Sequence, residues 1–186
     1  MTAEPVRRRF SVDDYYEMAR AGILGEDDRV ELIEGEIVEM SPIGRGHASC
    51  VDRLNRYLVF RVGEAAIVRV QGPVRLNEFA ELQPDVALLR FRPDFYALGH
   101  PTPFDVLLIV DVVETSSRYD RQVKMPLYAT AGIPEYWLVD LGEETVTVHR
   151  EPQPAGYGGV RVLRPGERLA PQALSAVEMS VDDILG

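Results

Sequence analysis

Apolar and polar positions change period several times along the chain, and each change marks an element. Ser11 can cap a short helix over residues 12–21, which stops at Gly22, a residue free to take positive φ. Residues 30–33 and 36–40 flank Glu34-Gly35 and read as a β-hairpin around a tight turn. Ser41-Pro42-Ile43-Gly44 then breaks the pattern. From residue 47 to about 61, Val51, Leu54 and Leu58 recur at helical spacing with Arg53, Asn55 and Arg56 between them, which predicts an amphipathic helix. Three strand-like segments follow, 67–76, 83–91 and 106–114. The last two are rich in Val and Leu, as in central strands covered on both faces.

Residues 93–103 mix Pro, Gly and His and predict an exposed loop. A helix over about 121–131 ends at Gly132, and Pro134 prevents its continuation. Pro126 either sits close enough to the helix start to cost little or kinks the helix there. Residues 135–140 and 145–150 form a second hairpin around Leu141-Gly142-Glu143-Glu144. A strand over 160–163 and a last short helix capped by Ser180 complete the pattern. No interdomain linker interrupts it. The order predicts one α/β domain over residues 1–186, a central mixed sheet flanked by helices with an extra N-terminal hairpin and C-terminal strands.

Composition narrows the function classes. Hydrophobic residues make up 46% and charged residues 27%, an ordinary globular balance. A net charge of −10 argues against generic coating of nucleic acid, which needs many phosphate-neutralising cations. A local basic rim around an acidic site remains open, with Arg7, Arg8, Arg9, Arg90, Arg92, Arg118 and Arg121 as candidates. One cysteine, Cys50, cannot form an internal disulfide and reads as a buried spectator thiol suited to a reducing compartment. The first nine residues hold no apolar signal-peptide core. The apolar run 106–113 is broken by Asp111 and is too short to span a bilayer, so a cytoplasmic protein is expected.

Lys124 is the only lysine in the chain; every other fixed cation is an arginine. A compact ammonium and a planar guanidinium are not interchangeable where a point charge is needed. Asp85 follows Pro84 near the start of one strand, and Glu114 closes the next. Two carboxylates held there repel unless a cation lies between them. Mg²⁺ or Mn²⁺ would relieve that repulsion, with Asp85 and Glu114 as ligands and water and a phosphate completing the shell. Lys124 would then orient the attacking water and offset charge on the phosphate.

These residues carry a resemblance. Gln83-Pro84-Asp85, Val112-Val113-Glu114 and Lys124 resemble the active-site order of the PD-(D/E)XK nuclease superfamily. Glu31-Leu32-Ile33-Glu34-Gly35-Glu36, Ser41-Pro42 with His47, Glu114-Thr115-Ser116-Ser117 and Tyr119-Asp120-Arg121-Gln122-Val123-Lys124 resemble one branch, the Uma-type family of bacterial restriction endonucleases. So does the block from Tyr128 through Gly132-Ile133-Pro134-Glu135-Tyr136-Trp137 to Asp140. The resemblance spans about 29–150, the expected core, and implies a restriction-endonuclease-like fold. Ser116 stands where the general superfamily motif has its lysine; in this branch the lysine lies on the following helix, where Lys124 falls. The resemblance also implies a catalytic set of Asp85, Glu114, Lys124 and Glu31, with Glu31 a supporting ligand or base and Glu34 and Glu36 its rivals. His47 matches a family position, either contacting phosphate or polarising Glu31, or serving structure alone. Tyr136 and Trp137 read as packing residues.

The expected activity is metal-dependent phosphodiester hydrolysis, with DNA as the partner. RNA or a small phosphorylated molecule is an alternative substrate. The acidic composition suits a further alternative, a non-catalytic assembly protein that retains a relic site. A homodimer is expected, because one site per chain cuts both strands most simply as a symmetric pair. The 135–150 hairpin and the C-terminal strand are its candidate edges.

Overall fold

The computed structural model describes residues 7–25, 27–114 and 119–186. Helix α1 (Val12–Arg20) opens on a capping box, in which the Ser11 hydroxyl accepts from Asp14 N and the Asp14 carboxylate accepts from Ser11 N. Strands β1 (Val30–Ile33) and β2 (Glu36–Glu39) pair antiparallel across Glu34 and Gly35, whose φ values of 50° and 83° make the tight turn. Helix α2 (Arg45–Val62) buries Val51, Leu54, Leu58 and Val62 along one stripe.

The segment expected as one strand over 67–76 is two. β3 (Ala66–Val70) ends where Gln71 takes a left-handed φ of 48° ahead of Gly72-Pro73, and β4 (Val74–Asn77) starts in a different sheet. A proline has no N–H for a ladder, so the chain turns instead of continuing. β4 folds back on β5 (Ala80–Leu82), a strand too short to show a period. A small antiparallel sheet of order β2-β1-β5-β4 results.

β6 (Val86–Arg90) begins just after Asp85, and β7 (Val106–Val113) ends just before Glu114. The 93–103 loop between them is mostly exposed, with Tyr96 buried and its hydroxyl donating to Arg90 O. The helix expected over 121–131 is also two pieces, a π-turn at Asp120–Lys124 and α3 (Met125–Thr130). Pro126 lacks an N–H and would clash with the carbonyl four residues back, so the regular ladder cannot cross it. The turn widens, and Met125 N donates to Asp120 O.

β8 (Glu135–Asp140) then runs parallel to β7, and β9 (Thr145–Gln153) and β10 (Gly156–Leu163) add antiparallel. The large sheet has the order β10-β9-β8-β7-β6-β3. β8 is buried throughout between β7 and β9, so the 135–150 hairpin offers no edge along β8, contrary to expectation; β10 and β3 are the edges. The tail pairs β11 (Arg168–Leu169) with β12 (Met179–Ser180) and ends in α4 (Val181–Leu185), capped by Ser180.

Alternate residues of the large sheet feed two cores. Val86, Leu88, Val110, Val112, Trp137 and Val139 pack against α2, α4 and the tail. Ala87, Leu89, Ile109, Val113, Tyr136 and Leu138 pack against α3 and the small sheet. Cys50 is buried in the first core, where burial pushes its thiol up to about 12. Among the described residues no helix is long and apolar enough to cross a membrane.

Glu135, fully buried, ties the tail to the sheet: it accepts from Trp137 Nε1 and Arg150 Nε, both at 2.9 Å, and from Gln172 N. Arg150→Ala should therefore cost on the order of 3 kcal/mol in urea denaturation, because a buried carboxylate loses its cation. Arg161→Ala, which breaks only the exposed pair with Glu167, should cost about 0–1 kcal/mol. Equal costs would refute this account of the tail.

Candidate active site

Period-two alternation decides which acids meet. β6 and β7 are antiparallel with Val86 opposite Val110, so the start of β6 lies beside the end of β7. Asp85 Oδ2 accepts from Val112 N at 2.8 Å, and Asp85 N donates to Asp111 Oδ1 at 3.4 Å. Asp111 lies on the face of Ile109 and Val113, turned towards the second core, and is only 3% exposed. Glu114 has the opposite parity, that of Val110 and Val112, and meets α2 instead.

Glu114 Oε1 accepts from His47 N at 3.0 Å, at the start of α2. Free N–H groups and the positive end of a helix favour a carboxylate there. Gly44 and Gly46 make room for it, since a Cβ at either position would collide with the Glu114 carboxylate. The imidazole of His47 points the other way, with Nε2 3.0 Å from Asp85 Oδ2. That bond raises the imidazole pKa against the opposing effect of burial, with the charges of Asp85, Glu114 and Asp111 adding to it.

From the small sheet, Glu31 brings a buried carboxylate whose Oε1 accepts from Lys124 Nζ at 3.0 Å and from Gln83 N at 2.7 Å. The π-turn points both Asp120 and Lys124 inward, and Lys124 is 8% exposed. Burial works against its ammonium, but Asp111, Glu31 and Asp120 more than offset this, so the pKa rises and the charge is kept. Burial pushes the carboxyls of Asp111 and Asp120 upward, with Lys124 pulling both back. Among the described residues Asp111 Oδ2 has no hydrogen-bond partner.

These groups, with Arg29 and Tyr119, line a pocket of about 370 Å³. Three of the residues expected at the site, Glu31, Asp85 and Lys124, converge around Asp111. Glu114 lines the same pocket from the α2 wall, and His47 stands between it and Asp85, bonded to both. His47 contacts Asp85 and forms no hydrogen bond with Glu31. Glu34 lies exposed in its turn and Glu36 is exposed on β2, where Arg7 reaches it at 3.2 Å. Of the expected basic rim, Arg121 pairs with Asp140 beside the pocket, whereas Arg90 closes the far end of β6 from Asp85. Arg118, Thr115, Ser116 and Ser117 lie outside the described residues. Asp111, Asp120 and Arg29 were missed by the motif reading. The signal for Asp111 was its place: a charged residue inside an apolar strand, on the same parity as Ile109 and Val113.

Among the described residues no three His, Cys, Asp or Glu side chains form a ready metal cage. The residues still fit a hard cation. Mg²⁺ commonly takes one or two carboxylates and completes its shell with water and phosphate, and Asp111 offers a buried oxygen that no donor among the described residues satisfies.

A mixed sheet flanked by helices, with acids gathered where β6 starts and β7 ends, is a restriction-endonuclease-like fold. A crystal structure from Anabaena variabilis, described as "a putative nuclease belonging to DUF820", superposes with a TM-score of 0.73. It is 16% identical over 95% of this chain and 97% of that one. The chain belongs to the Uma2 family, described as "Putative restriction endonuclease", whose model matches residues 12–182. The match takes in α1 and the tail, beyond the expected 29–150 core. No functionally curated protein matches the chain.

Proposed function

We propose that the protein is a Mg²⁺- or Mn²⁺-dependent endonuclease that hydrolyses phosphodiester bonds of DNA, and that it works as a homodimer of single-domain chains. The observation that carries this reading is the buried Asp111 carboxylate, with one oxygen unsatisfied, between Asp85 and the ammonium of Lys124. Asp85 and Asp111 would hold the ion, and Glu114 is assigned to the start of α2 in place of the ligand role expected of it. When bound, the ion supplies a more acidic water and a polarised phosphoryl group.

The chain's own residues do the remaining work. Lys124 is a protonated point charge fixed in a water-poor site, so it offsets negative charge developing on the phosphate at no reorganisation cost. Glu31 holds that ammonium in place, and with Oε1 already engaged by Lys124 and Gln83 it serves as a positioning group and not as the base. His47, anchored through its backbone by Glu114, steadies Asp85.

Mn²⁺-dependent nicking of supercoiled plasmid is the test, with single- and double-stranded oligonucleotides and RNA in parallel. Cleavage of DNA is expected; cleavage of RNA alone would overturn the substrate. Mn²⁺ at a hundred times its Kd should stabilise the fold by about 2.7 kcal/mol, and Asp85→Asn should remove that gain. An undiminished gain in Asp85→Asn would place the ion elsewhere. Light scattering that shows a monomer at all working concentrations would refute the dimer.

A further inference from the structure

Tyr136 belongs to a sequence block that the proposed chemistry does not use. Its neighbour Trp137 is accounted for, facing the α2 core with Nε1 on Glu135. Tyr136 faces the other way. It pairs with Ile109 of β7 and His149 of β9, so it shares the face of Asp111, which stands opposite Leu138. The Tyr136 ring is fully buried, 5.2 Å from the Tyr128 ring, 5.3 Å from His149 and 6.5 Å from Tyr157. Among the described residues its hydroxyl has no formed hydrogen bond, and neither has Asp111 Oδ2.

Two unsatisfied polar atoms on one buried face are costly, and they are complementary. An ionised carboxylate only accepts, while a phenol donates. The Tyr136 phenol adjoins Asp111, and a phenol keeps its proton at neutral pH. The ammonium of Lys124 donates to Glu31. Tyr128 also has a free hydroxyl but feels Asp111 only through charge. Tyr157 donates to Ile133 O at 3.0 Å and is satisfied.

We infer that Tyr136 is a positioning residue for the metal ligand Asp111: its hydroxyl donates to Oδ2 from the core side and fixes the plane of the carboxylate, leaving the remaining lone pairs directed at the pocket. The inference rests on the metal-binding reading of Asp111. It gives the Tyr136 hydroxyl a purpose that packing does not, since Phe would fill the same space.

The test is calorimetric titration of the full chain with Mn²⁺, beside thermal denaturation of the metal-free protein. Tyr136→Phe should weaken Mn²⁺ binding on the order of 10–100-fold, the usual effect of removing a ligand's supporting partner, with slower plasmid nicking. Its metal-free midpoint should fall modestly, because a buried carboxylate oxygen loses its donor. Tyr157→Phe, a change in the same ring stack away from Asp111, should bind Mn²⁺ as the wild type does. Wild-type affinity in Tyr136→Phe, or an equal loss in Tyr157→Phe, overturns the inference while leaving the metal site standing. No Mn²⁺ uptake by the wild type, or uptake that survives Asp111→Asn, overturns the metal-binding reading and this inference with it.

Discussion

Lys124→Ala should both unfold more easily and lose nicking, and the two losses should separate in a double variant. The ammonium is 8% exposed and faces Glu31, Asp111 and Asp120. Removing it leaves buried anions without a cation, which costs about 3–5 kcal/mol when one partner of a buried pair is deleted. Lys124→Ala combined with Glu31→Gln should recover much of that stability, because the two positions share one interaction and their effects are not additive. Nicking should not recover. Lys124→Arg keeps the charge, but its wide planar head must enter a closed site, an overpacking cost of about 1–3 kcal/mol. Its turnover should fall on the order of 10²–10³-fold, as when a preorganised charge is misplaced. Urea denaturation and plasmid nicking on the same four proteins decide the matter. Full nicking by folded Lys124→Ala would remove the residue from the mechanism.

Lys124 was legible in the sequence because its singularity needs no geometry to be seen. The fold was legible where local signals are strong. Ser11 and Ser180 cap the helices assigned to them, Glu34-Gly35 turns the first hairpin, and Gly132 ends α3 with φ at 79°. Local signals failed where a decision is tertiary. Nothing in residues 67–76 says that β3 and β4 belong to different sheets, and β5 becomes a strand only because β1 and β4 flank it. The π-turn was half visible: Pro126 announced an irregularity, but not that it would point Asp120 and Lys124 inward. At the site, Glu31, Asp85 and Lys124 were read from motif and position. Asp111 was seen only as an interruption of an apolar run, although counting by twos from Ile109 already sets it apart from Glu114. The fully buried placement of β8, which gives the Tyr136 hydroxyl its neighbour, depends on strand order and could not be read locally.

That count by twos leads to the sharpest contrast available. Asp111→Asn should abolish the Mn²⁺-induced gain in stability and lower nicking on the order of 10²–10³-fold or more. The same change should raise the melting temperature of the metal-free protein, because burial already disfavours the Asp111 charge and the amide keeps the shape without it. Glu114→Gln should behave in the opposite way. Its carboxylate sits at the positive end of α2, so neutralising it costs about 0.3–1 kcal/mol of stability. The Mn²⁺-induced gain should persist, because the carboxylate reaches Asp85 only through His47. Denaturation with and without Mn²⁺ on the two variants therefore has two clear outcomes. A gain lost in Asp111→Asn and kept in Glu114→Gln supports the face assignment. The reverse pattern would mean that the end of β7 rearranges on metal binding and that Glu114 turns away from α2 to take the ion.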